Sequence, residues 1–345
     1  MSEIGNVTAN TQLVEMAMAY SRSRALCAAA RLGIADALGD GERTVEELGE
    51  SCNADVPSLY RLLRALAALG ITAEGSPRRF VLSPFGQPLR KDAPNSVWPS
   101  VVFWADLLAD SWSHLTECVR SGETAFQIMQ QQGIPSRWAT ATDSNEIFRA
   151  VMGTAPAADY MPIAKQWNFG SSHVVADLGG GGGSLLAAIL SANPHLHGML
   201  VDRAESIDAA RSRFQNNELA SRCKLVTADL CAAVPPDADV YLLKHVLHGY
   251  NDTVAGKVLE NCRNVMTSEA RLLVIEFVLP DVVFGPDLHL QTRLFSDLNM
   301  LAVTGGKERS ASEWTALLQA SGFTTMQFIP VAELDVSIIE ARTTL

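Results

Sequence analysis

The chain has 345 residues, of which 48% are hydrophobic and 19% are charged, and its formal net charge at pH 7 is −11. A chain of this length can bury a large core and predicts about two domains. Its acidic balance argues against a protein that binds nucleic acid mainly through phosphate contacts.

The cysteines and the amino-terminal segment restrict the compartment. Six cysteines are scattered without a CxxC pair, which predicts reduced thiols and no disulfide or zinc framework. The first residues, MSEIGNVTANTQ, show no basic segment followed by an apolar one, and no apolar run reaches the length of a membrane span. The sequence therefore predicts a cytoplasmic protein.

The first hundred residues have the element order of a winged-helix domain. Apolar residues at three- and four-residue spacing predict a helix from Asn10 that stops at Gly39. TVEE at 44–47 predicts a capping box, and Asp55 with Pro57 predicts the start of a further helix. The run RRFVL, next to glycines and prolines, then predicts a small β-wing. We expect this domain to occupy residues 1–100.

The charge of this domain bears on its partner. Residues 40–70 carry three basic and six acidic side chains, a local balance of −3. A recognition helix with that balance would repel phosphates. The alternative to DNA binding is an interaction surface, most simply that of a two-fold homodimer.

The remainder, 101–345, divides into two patterns. Residues 101–168 are helical in pattern and rich in aromatic side chains, which could supply an apolar pocket wall. From 169 onward, short β-like runs alternate with helical ones, which predicts a doubly wound, mostly parallel sheet with helices on both faces. The last two runs, FTTMQF and VSIIEAR, predict an antiparallel hairpin at one edge.

The run VVADLGGGGGSLL at 174–186 places five glycines directly after a predicted strand. A phosphate-binding P-loop requires a lysine that is missing here, and the dinucleotide pattern GxGxxG fits only weakly. Asp177 would repel a pyrophosphate but would attract the ammonium and sulfonium groups of S-adenosylmethionine. A loop of Gly179, Gly180 and Gly181 leaves the backbone free to approach such a ligand.

Two further acids end the next two predicted strands. Asp202 follows GMLV, at a spacing from Asp177 that suits a grip on ribose hydroxyls. Asp229 lies in TADL, where it could hold the adenine amino group while Leu230 packs on the ring. Any one aspartate could be a turn residue, but three at successive strand ends favour a nucleoside site.

With YLLKHVLHGYND, RLLVIEFVLP and DLNMLAVTGGKERS, the ordered motifs resemble the small-molecule O-methyltransferases of the caffeate and acetylserotonin type, including the branch that tailors bacterial polyketides. The resemblance covers essentially the whole chain. It implies a Rossmann-like class I methyltransferase fold behind a winged-helix dimerisation domain, S-adenosylmethionine as cofactor with no metal, and an aromatic acceptor.

The resemblance also implies roles for individual residues. His248 matches the catalytic base, Glu276 and Glu308 match the acids that flank it, and Lys244 matches a lysine that helps to hold the cofactor. The implied acceptor-binding residues are Phe103, Phe148, Met152, Asn299 and Met300. The chemistry agrees, since a histidine can take the proton of a phenol and a carboxylate on its other nitrogen fixes the tautomer.

Other interpretations of these residues stay open at this point. His245, three residues earlier, should face elsewhere on its segment, and a metal pair of His245 and His248 is expected to lack a third ligand in its neighbourhood. Glu308 could instead pair with Lys307 or Arg309 on a solvated loop. The family's HDWxD reads HGYND here, so Gly249 should leave room for a bulky acceptor.

The expected reaction is therefore methyl transfer to a hydroxyl of an aromatic small molecule, such as a polyketide-derived phenol of bacterial secondary metabolism. One alternative is a relative that keeps the cofactor but performs hydroxylation, decarboxylation or pericyclic chemistry. Carbon or nitrogen methylation is a second. A cofactor-sensing regulator is a third, although it would require a basic winged helix.

Overall fold

The computed structural model describes residues 8–152, 156–215 and 218–343. The chain divides into two compact units, the first formed by Met1–Asp110 with Pro135–Val151 and the second by Ser111–Ile134 with Met152–Leu345. Among the described residues, none of the helices combines the length and the apolar character that crossing a membrane requires.

The described helices and strands follow one another in the alternation that the sequence predicts. The α-helices are α1 Ala9–Arg31, α2 Ile34–Leu38, α3 Val45–Ser51, α4 Val56–Ala68, α5 Trp98–Val102, α6 Ala109–Ser113, α7 Leu115–Ser121, α8 Ala125–Gln131, α9 Arg137–Thr140, α10 Ser144–Met152, α11 Met161–Gln166, α12 Ser184–Ala192, α13 Ala204–Gln215, α14 Asp252–Val265, α15 Leu288–Val303 and α16 Ala311–Ala320. The strands are β1 Arg43–Thr44, β2 Thr72–Ser76, β3 Arg79–Leu82, β4 Val174–Leu178, β5 His197–Asp202, β6 Cys223–Thr227, β7 Val240–Lys244, β8 Arg271–Glu276, β9 Val278–Leu279, β10 Arg309–Ser310, β11 Phe323–Val331 and β12 Val336–Thr343.

The first unit contains the predicted helices and β-wing. Thr44 and Glu47 form the capping box of α3, and Asp55 caps α4 by accepting a hydrogen bond from the Ser58 N–H at 3.0 Å. Strands β2 and β3 form an antiparallel hairpin to which β1 adds a third strand. One face of α4 is fully buried in a core shared with the hairpin.

One helix prediction for this unit was wrong. The helical pattern up to Gly39 is two helices, because α1 ends at Arg31 and α2 begins at Ile34. Gly33 between them has φ +68°, a left-handed conformation that glycine adopts without steric cost and that an α-helix cannot continue through.

The second unit is built on a seven-stranded sheet with the order β11-β12-β8-β7-β4-β5-β6. Strands β4 to β8 pair in parallel, whereas β12 runs antiparallel to both β8 and β11, so the predicted edge hairpin is confirmed. Successive side chains of β4 enter two different cores: Val175 packs with α11 and α12, and Ala176 packs with α14 and α16. Helices therefore cover both faces, and the predicted class I methyltransferase architecture is confirmed.

The strand order places the functional site. The chain runs from β4 to β5 and β6 on one side of β4 and then returns to β7 on its other side. Open α/β sheets bind ligands in the crevice where the strand order reverses in this way. The loops that leave the carboxyl ends of β4 and β7 carry the glycine run and the segment HVLHGYND. The short parallel pair β9 and β10 brings the GGKERS loop to the same end of the sheet.

Candidate active site

The glycine loop joins β4 to α12 through a backbone that side chains would not permit. Gly179, Gly181 and Gly183 have φ values of +69°, +55° and +75°. A Cβ on Gly180 would lie 2.5 Å from Oδ2 of Asp177, so the loop folds tightly over that carboxylate. The five glycines thus allow both the turn and its close approach to Asp177.

Asp177, at the end of β4, is a buried carboxylate with an unsatisfied oxygen. It is 1% exposed, and Oδ2 has no hydrogen-bond partner among the described residues. Burial raises the pKa of Asp177 to about 7, an effect that Asp202 strengthens and Lys244 opposes. A buried acceptor without a partner fits a cationic, hydrogen-bonding group of a ligand, such as the ammonium of S-adenosylmethionine.

The next two strand ends carry the other predicted acids. Asp202 accepts the Gly181 N–H at 2.8 Å and the Arg203 N–H at 2.7 Å, which ties the end of β5 to the glycine loop. Asp229 is exposed and caps its own turn by accepting the Cys231 N–H at 3.0 Å, while Leu230 beside it is buried. All three acids lie at the carboxyl edge of the sheet, and both Asp202 and Asp229 lie near Tyr250.

Lys244, the last residue of β7, lies between two buried acids. Burial lowers the pKa of Lys244, and the charges of Asp177 and Glu276 oppose that effect. Its ammonium lies 4.9 Å from the centre of the Tyr160 ring, a cation–π contact. The sequence prediction included Tyr160 only as one of the aromatic residues of 101–168, since a single aromatic in a helical stretch carries no signal for this contact.

His248 is oriented by Glu308. Its Nδ1 lies 2.9 Å from Glu308 Oε1 and 3.6 Å from Glu276 Oε2, so the first contact is the hydrogen bond. Glu308 also accepts from the Ser296 hydroxyl at 2.8 Å, and its backbone N–H donates to Asp297 at 2.8 Å. A carboxylate on Nδ1 selects the tautomer with the proton there, which leaves Nε2 as the ring nitrogen able to accept a proton.

Glu276, at the end of β8, is fully buried and supports the turn that carries His248. Its Oε1 accepts the N–H groups of Val246 at 3.0 Å and His248 at 3.3 Å. Its Oε2 lies 3.1 Å from Nδ1 of His245. These positive and polar neighbours outweigh burial and lower the pKa of Glu276, so the carboxyl is held ionised.

Two predictions about His245 were wrong. The residue does not face elsewhere: its φ is +51°, which ends β7 abruptly and turns the ring back to Glu276 and to within 5.3 Å of the His248 ring. A third metal ligand also exists nearby, because ligand atoms of His245, His248 and Glu276 all lie within 4.8 Å of one another. That ligand comes from another strand, where spacing along the chain could not reveal it.

Arg309 stabilises the His248 turn, a role that was not predicted from the sequence. The side chain is fully buried, donates to the carbonyl oxygens of Leu247 at 3.1 Å and Tyr250 at 3.0 Å, and pairs with Asp252. Glu308 therefore does not pair with Arg309, and Lys307 pairs with Glu313 and Asp252 instead. The alternative that Glu308 lies on a solvated loop was wrong, because the contacts of Lys307 and Arg309 hold this loop against neighbouring residues.

Gly306 allows this loop to lie against the His248 turn. A Cβ on Gly306 would lie 2.0 Å from the carbonyl oxygen of His248 and 2.6 Å from the carbonyl carbon of Gly249. By contrast, a Cβ on Gly249 would meet nothing within 4 Å. The first glycine is therefore a packing requirement, and the second borders open space beside His248.

The predicted acceptor-binding residues fall into both units. In the first unit, Phe103 and Phe148 form a ring cluster with Trp138, with centroid separations of 5.5–6.2 Å. Met152 ends α10, belongs to the second unit and is exposed. In the second unit, Asn299 and Met300 lie on α15, where Asn299 is buried and accepts the indole N–H of Trp112 at 3.2 Å.

Two family models match the chain in the order of its two parts. A dimerisation domain of O-methyltransferases matches residues 14–91, and an O-methyltransferase domain matches residues 112–324. The second match covers the parallel strands β4 to β8, the glycine loop and the His248 turn.

Methyltransferases with similar sequences and structures match this chain over most of their own length. The O-demethylpuromycin-O-methyltransferase of Streptomyces alboniger is 35% identical over 96% of this chain and 89% of its own. The 8-amino-8-demethylriboflavin N,N-dimethyltransferase of Streptomyces davaonensis is 32% identical over 92% of this chain and 91% of its own. An O-methyltransferase from neocarzinostatin biosynthesis, solved with S-adenosylmethionine and 2-hydroxy-5-methyl naphthoic acid, is 29% identical, covers 94% of this chain and 96% of its own, and has a TM-score of 0.79. The chain therefore belongs to the S-adenosylmethionine-dependent O-methyltransferases that combine a dimerisation domain with an O-methyltransferase domain.

Proposed function

We propose that this enzyme methylates a hydroxyl of an aromatic small molecule of bacterial secondary metabolism, with a polyketide-derived phenol as the favoured class, and that His248 is its general base. The hydrogen bond of 2.9 Å between His248 Nδ1 and Glu308 carries the proposal. It makes Nε2 the acceptor of the proton that the phenol must lose.

The surroundings of His248 suit this role. Burial alone would lower the pKa of His248, but the carboxylates of Glu276 and Glu308 outweigh it and raise that pKa. A phenol has a pKa near 10, so its full ionisation at pH 7 would cost about 4 kcal/mol. Transfer of the proton to Nε2 avoids that cost, and the two carboxylates stabilise the imidazolium that forms.

The acids at the strand ends and the glycine loop support a proposed position for the cofactor. S-adenosylmethionine, when bound, supplies an electrophilic methyl group. Asp177 would hold its ammonium group, Asp202 its ribose hydroxyls, and Asp229 with Leu230 its adenine. Lys244 and the backbone of Gly179, Gly180 and Gly181 would complete the set. The unpartnered Oδ2 of Asp177 is the observation that favours this arrangement.

The acceptor would be held by apolar side chains and one amide. We assign Met152 and Met300 to its apolar walls and Asn299 to a polar contact. The roles of Phe103 and Phe148 stay predictions from the resemblance. Methionine-rich walls adapt to several acceptor shapes. Gly249 borders open space next to the base, which favours a bulky, fused-ring acceptor over a single small ring.

A second candidate function is methylation of an aromatic amine, because a relative of comparable identity is named an N,N-dimethyltransferase. An arylamine needs less help from a base, since it attacks before it loses its proton. The partly buried His248–Glu308 pair favours a hydroxyl. The presence of His248, Glu276 and Glu308 together also argues against a repurposed enzyme that binds the cofactor but uses only the charge of its sulfonium group.

The first unit would form the interface of a homodimer. The amino-terminal half of α1 is exposed and carries an apolar surface formed by Leu13, Val14, Met16, Met18 and Tyr20. A surface of this kind marks an interaction site, and the match to a dimerisation domain begins at residue 14. A second copy of the chain is the partner that both observations favour.

The test is mass spectrometry of the purified protein with S-adenosylmethionine and a panel of phenols, hydroxynaphthoates, hydroxyquinones and matched arylamines. His248→Ala should reduce turnover by about 10²- to 10⁴-fold while cofactor affinity stays within a factor of about two. His289→Ala, which removes an exposed histidine of α15, is the matched control and should retain wild-type turnover. Full turnover in His248→Ala, or methylation of the amines alone, would refute the proposal.

A further inference from the structure

We propose that His245, His248 and Glu276 form a binding site for Zn²⁺ or a similar divalent transition metal, and that the metal inhibits methyl transfer. The donor atoms are Nδ1 of each histidine and Oε2 of Glu276. Oε2 lies 3.1 Å from the nitrogen of His245 and 3.6 Å from that of His248, and the ligand atoms all lie within 4.8 Å of one another.

These separations fit a tetrahedral ion. Zinc bonds to histidine nitrogen and carboxylate oxygen are roughly 2.0–2.2 Å long, so the edge of a tetrahedral site is about 3.3–3.5 Å. The distance from Oε2 to His245 is slightly shorter than that edge, and the distance to His248 is slightly longer. A small rotation of the rings would bring the two histidine nitrogens to the same separation. Two histidines and a glutamate are also a ligand set that zinc uses elsewhere.

The backbone prepares the site. Oε1 of Glu276 accepts two N–H groups from the His248 turn, which leaves Oε2 directed at both rings. The left-handed conformation of His245, at φ +51°, turns its ring toward the same oxygen. A non-glycine residue in that conformation carries strain, which the packing around it must support.

A second carboxylate adds charge beside the three ligands. Oε1 of Glu308 lies 2.9 Å from Nδ1 of His248, and Oε2 of Glu308 is buried without a hydrogen-bond partner among the described residues. Two buried carboxylates would neutralise a divalent cation. Two nitrogen donors favour zinc, copper or nickel over magnesium and calcium, which prefer oxygen.

The effect on the reaction follows from the position of one proton. Catalysis requires the proton of the neutral His248 ring on Nδ1 and a lone pair on Nε2. A metal that binds Nδ1 needs a lone pair on that nitrogen, so the proton of the neutral ring moves from Nδ1 to Nε2. A ring that was doubly protonated releases one proton to water. His248 would then present a donor where the phenol needs an acceptor.

Metal binding is measured first, on the full chain, by equilibrium dialysis against Zn²⁺ and separately against Mg²⁺. We expect one Zn²⁺ per chain and no saturable Mg²⁺. His245→Gln keeps a donor toward Glu276 but loses the ligand. Since supporting partners of a ligand are alone worth 10- to 100-fold in metal affinity, this variant should bind Zn²⁺ at least about 100-fold more weakly. His289→Gln should bind it as the wild type does.

Inhibition is measured second, and only this part depends on the proposed function. The Zn²⁺ concentration that halves turnover should match the dissociation constant, EDTA should restore activity, and the value should rise in His245→Gln by the same factor as the binding constant. Absence of Zn²⁺ binding, or equal binding by wild type and His245→Gln, overturns the site even if methyl transfer is confirmed. Binding without any methyl transfer would instead refute the proposed function.

Discussion

Asp177, whose Oδ2 has no hydrogen-bond partner among the described residues, gives a quantitative prediction about cofactor binding. Because its pKa is raised to about 7, half of the free protein carries a neutral carboxyl at pH 7. An ammonium group gains most from the ionised form. Binding at lower pH must therefore remove a proton from Asp177, and affinity should fall as the pH falls through 7.

The size of the effect follows from that pKa. The fraction of ionised Asp177 reduces affinity by about 11-fold at pH 6 and by about 1.1-fold at pH 8, a tenfold difference overall. Asp177→Asn should abolish the difference. At pH 8 it should also weaken binding by about 10- to 150-fold, the equivalent of one hydrogen bond between charged groups at about 1.5–3 kcal/mol.

The assay is isothermal titration calorimetry with S-adenosylhomocysteine, which keeps the ammonium but cannot be turned over. Repeating it at pH 6 in two buffers of different ionisation enthalpy counts the proton released. Asp229→Asn is the matched control: it should weaken binding but retain the pH dependence. Equal affinity of the wild type at pH 6 and 8, with no proton released, would refute the placement of the ammonium at Asp177.

Stability provides a second readout of the same group. The folded-state pKa of Asp177 lies above its unfolded value of 3.8, so its contribution to stability falls as the pH rises from about 4 through 7. Asp177→Asn removes a charge that is buried at pH 8 but largely neutral at pH 6. The variant should raise Tm relative to wild type more at pH 8 than at pH 6, and the opposite order would contradict the raised pKa.

Three further substitutions test the geometry around His248. Glu308→Gln removes one of the carboxylates that raise the pKa of His248, so the acidic limb of the kcat profile should move to lower pH and kcat should fall at pH 7.5; an unmoved limb would argue against the hydrogen bond. Gly306→Ala should reduce kcat by at least about tenfold and lower Tm by several degrees, because its Cβ requires the His248 carbonyl to move; wild-type activity would show that the contact is not needed. Gly249→Leu should leave Tm within about 2 °C but raise KM for fused-ring acceptors more than for single-ring phenols, and equal effects on both would refute the role of the open space.

The sequence was most informative where the chain alternates regularly. The β-like runs after residue 169 all became strands, and β5, β7 and β8 each combine buried branched residues with a polar terminus. Parallel pairing then places those termini at one edge, which is why Asp177 and Asp202 were predicted from the strand pattern, whereas Lys244 was predicted from the resemblance. The break at Gly33 was missed because apolar spacing continues through it, while a single positive φ ends the helix.

Contacts between distant segments were beyond such patterns. His245 and Glu276 are 31 positions apart, and only the turn at His245 makes them neighbours. Arg309 resembles a surface cation in the sequence GGKERS. Its burial depends on carbonyl oxygens of the His248 turn that no spacing rule would place there.

The two glutamates beside His248 have different tasks, a distinction that the motifs alone did not make. Glu276 uses Oε1 to fasten the turn and Oε2 to contact His245, so most of its capacity is structural. Glu308 gives its short contact to Nδ1 of His248 and is the acid that sets the tautomer. Loss of Glu276 should therefore disturb the position of the base, whereas loss of Glu308 should change its proton affinity. Only the second effect would leave the structure intact while moving the pH profile, because a neutral glutamine can fill the same space without the charge.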